Sequence, residues 1–249
     1  MSHILQKQRE LLALPRNLES FQTYLRTLSP DGATLEYPSL VMMNPMSKEH
    51  VAARLDELLA LDADGIAMRA LAEAAATVAD APGDCQLALV LVDDQHGGWT
   101  NRYDYEFNQR GARGRLTTKD KRPAWLKEAW LTGILWSSEA ATERAVREAV
   151  LTVVYRAAYV QRHGAAATLG AMLAQERQVM QAAGCTLPAL DPTELAHTRA
   201  VLTPLLGATD MRTCIECLFG DAAGETLGFT PRGLRHWAGL ALALQETLP

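Results

Sequence analysis

Residues 85–107 read CQLALVLVDDQHGGWTNRYDYEF, and this stretch decides the fold. Residues 87–92 form an unbroken apolar run, short enough for a buried β-strand. From residue 99 to residue 107, aromatic and polar side chains alternate, as they do in a strand with one buried face. The residues between, DDQHGG at 93–98, are typical of the turn of a β-hairpin. The sequence therefore predicts two antiparallel strands, near 86–93 and 99–107.

A third short apolar run predicts a strand near 131–137. Alanine and leucine dominate most of the remaining chain and favour helix. The predicted fold class is α+β: a helix-rich single domain with a small, antiparallel mid-chain sheet covered by helices. Within this domain, 1–249, we expect N-terminal helices over 1–80, the sheet region over 84–138 and a helical part over 139–249. No polar linker long enough to mark a domain boundary interrupts it.

Helix-start and helix-stop signals punctuate the C-terminal half. Asp191-Pro192-Thr193-Glu194 is a capping box with proline at the first helical position. Gly184 is placed to end the helix before it. We also expect Ser138 to cap a long helix that begins at Glu139.

Composition limits the classes of partner. A net charge of -5 argues against a general nucleic-acid binder, which needs a basic face. The N-terminus is too polar for a signal peptide, and no apolar run is long enough to cross a membrane. Four cysteines in 249 residues do not make a disulfide framework, so we expect a cytoplasmic protein. The expected partners are a small molecule or a second copy of the chain, and neither nucleic acid nor membrane.

The predicted hairpin turn carries the densest chemistry in the chain. Asp93, Asp94 and His96 are candidate catalytic residues, because two carboxylates and an imidazole could hold a divalent metal. Alternatively, one carboxylate could orient His96 as a general base. Asn101 and Arg102 follow as candidate substrate-binding residues. The competing interpretation is a turn in which Asp and Gly serve only the backbone.

A polar stripe runs along the apolar helix predicted after residue 139. Its members, which include Thr152, stand three or four residues apart, so they share one helix face. The stripe either faces water or lines a cleft, and in a cleft its members would bind substrate. Glu176 on the next helix is a candidate facing carboxylate. The candidate substrate-binding residues of the stripe are Glu148, Tyr155, Tyr159 and His163.

Three cysteines are weak metal-ligand candidates. Cys214 and Cys217 form a C-x-x-C pair, which is half of a structural zinc site or a redox pair, and Cys185 lies nearer the N-terminus. Buried thiols acting as small apolar side chains are the alternative. The cofactor stays unknown, with a divalent metal as a candidate.

Two functional hypotheses follow from these residues. The first is a cytoplasmic, bacterial-type enzyme, hydrolase-like or metal-assisted, that acts on a small polar or anionic molecule around residues 93–102. The second is a non-catalytic helical scaffold or regulatory binding module, dimeric, in which the tip is only a turn. No phosphate-binding loop, dinucleotide-binding fingerprint or zinc-protease motif occurs in the sequence to choose between them.

Overall fold

The computed structural model describes residues 3–15, 17–31, 36–38, 49–77, 86–95, 101–110 and 130–246. It is rich in helix, as predicted, and has one small sheet of two strands in the described part of the chain. The N-terminal elements are α1 (Ile4–Leu12), α2 (Leu18–Leu28), α3 (Glu49–Ala60), α4 (Ala63–Thr77), β1 (Gln86–Val92), α5 (Arg102–Arg110) and β2 (Trp130–Trp136). The C-terminal elements are α6 (Glu143–His163), α7 (Leu169–Ala183), α8 (Pro192–Leu202), a 3-10 turn (Thr203–Leu205), α9 (Met211–Phe219), α10 (Asp221–Thr226) and α11 (Ala238–Gln245).

The two strands lie where the sequence predicts strands near 86–93 and 131–137, but they run parallel. Their register runs without a bulge from Gln86 opposite Trp130 to Val92 opposite Trp136. The predicted antiparallel sheet is therefore wrong. Both strands are largely buried, and near-continuous apolar runs are what parallel strands show, whereas an antiparallel hairpin tends to alternate.

The strand predicted over 99–107 is also wrong, because α5 occupies Arg102–Arg110. Two of the alternating aromatic residues that suggested a strand also fit a helix, because Tyr103 and Phe107 are four residues apart and Arg110 follows three residues later. Phe107 and Arg110 are the buried residues of this helix, so the helical period describes the burial. Residues 96–100, which include the second half of the predicted turn, lie outside the described residues.

The chain divides into two compact units, and the first consists of Met1–Asn101 and Glu128–Val154. In it, α1 packs against α3 and β1, and α3 also contacts β1 and α4. Gly133 of β2 lies close to α6, since a Cβ atom there would be 3.1 Å from the Ala149 carbonyl oxygen. The core of this unit includes the fully buried side chains Ile4, Leu5, Leu55, Leu58, Leu89, Leu91 and Leu151.

Helix α1 supplies hydrogen-bond partners to the backbone at the outer edge of β1 through one side chain. The buried Gln8 amide donates to the Leu91 carbonyl oxygen at 3.0 Å and accepts from the Leu91 N–H at 2.9 Å. This is the pairing that a further strand would make, supplied by a glutamine. It leaves no buried donor or acceptor at Leu91 unsatisfied.

Replacing Gln8 with Leu is expected to lower the free energy of unfolding by about 2–4 kcal/mol, because the N–H and C=O of Leu91 both lose their partner inside the core. Chemical denaturation measures the change. Gln6→Leu is the matched control, since Gln6 is exposed on the same helix and its amide donates to the exposed Glu10. Equal effects of the two substitutions would contradict a role for Gln8 at the strand edge.

The second unit consists of Arg102–Lys127 and Tyr155–Pro249. Helix α11, almost wholly apolar, packs against α7, α8 and α9, and α9 also contacts α5. The predicted helix signals are confirmed here: Asp191 and Glu194 form the reciprocal capping box, and Gly184 ends α7 with a left-handed φ of 67°. The prediction of a single domain over 1–249 stays a prediction. No helix in the described part of the chain is long and apolar enough to cross a membrane.

Candidate active site at the strand ends

Parallel pairing places the carboxyl ends of β1 and β2 side by side. Asp93 and Asp94 follow Val92, and Ser137 and Ser138 follow its register partner Trp136. Ser137 continues the pairing by donating its N–H to the Val92 carbonyl oxygen at 2.9 Å. In open sheets with parallel strands, ligands commonly bind at this end, so the arrangement is a candidate site.

Asp93 is the centre of this site. Its side chain is 0 % exposed, and its Oδ1 accepts hydrogen bonds from Ser137 Oγ at 2.7 Å and from His50 Nε2 at 2.8 Å. The Gln95 N–H also approaches Oδ1, at 3.2 Å. A buried carboxylate needs such donors, because its desolvation is otherwise very costly. The donors therefore hold Asp93 in one orientation.

His50 is the partner of Asp93 that can exchange protons. It is the second residue of α3, and its side chain is 27 % exposed beside the fully buried carboxylate. A carboxylate can only accept here, so the imidazole must donate its Nε2–H to Asp93. That bond fixes the tautomer in which Nε2 carries the hydrogen and Nδ1 carries the lone pair.

Asp94 and Ser138 form a second link between the strand ends. The half-buried Asp94 accepts from the Ser138 backbone N–H at 3.0 Å and from its Oγ at 2.7 Å. Ser138 does not cap a helix, so that prediction is wrong. Thr142 Oγ1 instead accepts from the Ala145 N–H, and α6 begins at Glu143.

The structure thus brings Asp93 and Asp94 together with two serines and with His50, which no sequence pattern indicates. His96 lies outside the described residues. Asn101 directly precedes α5, and Arg102 belongs to the second unit. The Arg102 guanidinium lies 3.6 Å from Glu106 and 5.3 Å from the ring centre of Trp237.

The polar stripe of α6 is divided between the two units. Glu148 is in the first unit, half-buried and 3.8 Å from Arg144. Tyr155, Tyr159 and His163 belong to the second unit. Tyr155 is half-buried, and the Tyr159 ring centre lies 4.5 Å from the ring centre of the exposed His163. A common cleft for the stripe and residues 93–102 stays a prediction.

Glu176 faces α6, as the sequence suggested, and forms a buried ionic cluster in the second unit. Its fully buried carboxylate accepts two hydrogen bonds from Arg156, at 2.7 and 2.8 Å, and lies 3.1 Å from Arg110 Nε. Gln175 Nε2 donates to it at 3.1 Å. Burial alone would raise the pKa of Glu176, but the charges of Arg156 and Arg110 outweigh it and lower the pKa to about 2.

The candidate metal-binding cysteines pack into the core of the second unit. Cys214 and Cys217 are buried on α9, and the half-buried Cys185 packs against the same core. Burial raises the pKa of the Cys214 thiol to about 11 and that of Cys217 to about 12. Among the described residues there is no group of three or more His, Cys, Asp or Glu side chains that could hold a metal.

No protein-family model matches the chain. No curated protein and no solved structure matches it either. The chemistry of the strand-end residues is therefore the basis on which a function can be inferred.

Proposed function

We propose that the chain is an enzyme that acts on a small polar or anionic molecule at the ends of β1 and β2. His50 is the general base in this proposal, and Asp93 is the carboxylate that orients it. The observation that carries the proposal is the 2.8 Å contact between a half-buried imidazole and a fully buried carboxylate. A turn in which Asp and Gly serve only the backbone requires no buried carboxylate in contact with an imidazole.

The dyad supports general-base catalysis for two reasons. Asp93 holds the Nε2–H, so Nδ1 is presented in one tautomer and one orientation. Its buried negative charge also stabilises the imidazolium that forms when Nδ1 takes a proton. A general base that is oriented in this way typically accelerates a reaction about 10²–10⁴-fold.

The position of Ser137 favours attack by water over attack by serine. In a catalytic triad, the imidazole lies between the serine and the carboxylate. Here Asp93 lies between His50 and Ser137, and the Ser137 hydroxyl donates to the carboxylate. Ser137 therefore serves as a positioning residue, and the nucleophile we propose is a water molecule.

Hydrolysis is the reaction class that fits these roles. As water attacks a carbonyl or phosphoryl centre, its oxygen forms the new bond and its proton passes to His50 Nδ1. The bond to the leaving group then breaks, and the protonated imidazole returns the proton to that group. Asp94 and Ser138 lie beside the dyad and would contact the polar part of the substrate. The roles of His96, Asn101 and Arg102 stay predictions, as does a divalent metal.

A cytoplasmic location is part of the same proposal. Cys214 and Cys217, both buried, are free thiols. A reducing compartment keeps such thiols unpaired, whereas secreted proteins commonly form disulfides.

Solvent labelling tests the proposal directly. Wild type, His50→Ala and His197→Ala are incubated with a metabolite extract in water enriched in heavy oxygen, and products are detected by mass spectrometry. Wild type and His197→Ala, which alters an exposed histidine of the second unit, are expected to yield the same labelled products. His50→Ala is expected to yield about a hundredfold less. Labelling that is absent in wild type, or equal in His50→Ala, would contradict the proposal.

One observation favours the second hypothesis, a dimeric binding module. Helix α2 exposes an apolar face made of Leu18, which is 72 % exposed, with Phe21 and Leu25 three and seven residues further on. Sedimentation equilibrium distinguishes the two hypotheses. It is measured on wild type, on Phe21→Glu and on Gln22→Glu, a control at an exposed position of the same helix. A dimer that only Phe21→Glu dissociates supports the module, and a monomeric wild type contradicts it.

A further inference from the structure

A cavity of about 480 Å³ opens in the first unit, between the start of α1 and the corner where α3 meets α4. Its volume falls in the range of small-molecule sites. His3 and Gln6 line it from α1, and Leu59, Asp64 and Met68 line it from the corner. None of these residues belongs to the strand-end site, so the cavity is a separate feature.

The carboxylate of Asp64 is incompletely satisfied in the wall of this cavity. Its Oδ2 accepts a long hydrogen bond, 3.3 Å, from His3 Nδ1. Its Oδ1 is buried and has no hydrogen-bond partner among the described residues. The side chain is still 19 % exposed, so a ligand can reach the carboxylate. Burial raises the pKa of Asp64, which reflects the shortage of donors around it.

The first turn of a helix favours an acid, and Asp64 has that position in α4. A helix terminus alone does not require a cavity, a buried oxygen without a donor, or apolar walls. Leu59, Ala63 and Met68 supply those walls, and the Met68 side chain is 47 % exposed. The lining therefore combines one anionic group with apolar surface.

The other charged groups nearby do not change the sign of the site. Asp62 also lines the cavity, but its exposed carboxylate lies 3.8 Å from the Arg69 guanidinium. Among the described residues, the ion-pair partner of Asp64 is the His3 ring, at 3.3 Å. Asp64 is therefore the group that a positively charged ligand would meet.

We infer that this cavity binds a small organic cation. Its ammonium group donates to the Asp64 carboxylate, and its apolar part packs against Leu59 and Met68. A cavity with a carboxylate and an apolar wall selects for a ligand that has both a positive charge and a hydrocarbon part. The charge contacts only the carboxylate, and the hydrocarbon contacts only the apolar wall.

Three probes of the same chain length test the inference: hexylammonium, hexanoate and hexanol. Titration calorimetry is expected to show saturable binding of hexylammonium, about tenfold weaker in Asp64→Asn because the charge-assisted hydrogen bond is lost. Glu57→Gln, which removes an exposed carboxylate from α3 outside the cavity, is expected to bind as wild type does. Binding of hexanoate or hexanol as tight as that of hexylammonium would overturn the inference.

A second measurement locates the site without relying on the folding of a variant. In wild type, the Met68 methyl resonance is expected to shift with hexylammonium and to keep its position with hexanoate. A Met68 methyl that stays unshifted while hexylammonium binds would place the ligand elsewhere and overturn the inference.

Discussion

Replacement of Glu176 by Ala is expected to lower the free energy of unfolding by about 3–5 kcal/mol, the cost of breaking a buried ion pair from one side. Arg156 is buried beside Glu176 and donates two hydrogen bonds to this carboxylate. Without Glu176, the guanidinium of Arg156 stays in the core and loses the carboxylate that accepts its two hydrogen bonds. Arg110, which is also buried, loses its contact as well.

Urea denaturation measures the change, with Glu246→Ala as the matched control. Glu246 also pairs with an arginine, Arg199, but that pair is exposed. Exposed ion pairs contribute about 0–1 kcal/mol, so the control is expected to change little. A Glu176→Ala protein as stable as the control would contradict the buried-cluster interpretation.

The same cluster predicts how stability depends on pH. The pKa of Glu176 is lowered from an ordinary 4.5 to about 2 in the folded protein, so the folded state favours the ionised carboxylate more than the unfolded state does. A lowered pKa means that the stabilisation is complete above pH 4.5 and is lost as the pH falls towards 2. The shift corresponds to about 3 kcal/mol. Glu176→Gln, which cannot ionise, is expected to lose less stability than wild type between these pH values.

Replacement of Asp93 by Asn is expected to lower kcat/KM of the proposed hydrolase about a hundredfold or more. Asn keeps the shape of Asp but has no charge to stabilise the imidazolium of His50. Its amide can also rotate to donate to His50 Nε2, which would select the wrong tautomer. Both effects act on the proton transfer, so kcat should fall more than substrate affinity.

The assay is the rate of heavy-oxygen incorporation into whichever product the labelling experiment identifies. Asp56→Asn is the matched control, because Asp56 is an exposed carboxylate on α3 that pairs with Arg9. A fully active Asp93→Asn protein would remove the dyad from the mechanism. Circular dichroism of each variant separates a lost catalytic step from a lost fold.

Local patterns predicted the elements better than their arrangement. The apolar runs of β1 and β2 and the capping box at Asp191 depend on neighbouring residues, so the sequence displays them. Strand direction depends on which distant segment pairs, and a glycine-containing turn after β1 suggested the wrong partner. Within 102–107, Tyr103 and Phe107 share one face in a strand and in a helix alike, and burial of Phe107 on α5 follows the helical period.

The candidate site was predictable only in part. Asp93 and Asp94 stood out because they follow a buried strand. His50 lies 43 positions before Asp93, and nothing in its neighbourhood distinguishes it from an ordinary helical histidine. Its role depends on the packing of α3 beside β1, a contact between segments far apart in the chain.

The division of the chain has a consequence for how the protein is made. Residues of the second unit, Arg102–Lys127, are synthesised before β2, which completes the sheet of the first. On the ribosome, residues 93–129 must therefore be synthesised after β1 before its partner strand begins. A nascent chain that ends at Asn101 would carry β1 with Gln8 on one edge and bare backbone on the other. Neither unit can be released as a fragment by a single cut, so a protease that nicks the chain once separates no complete unit.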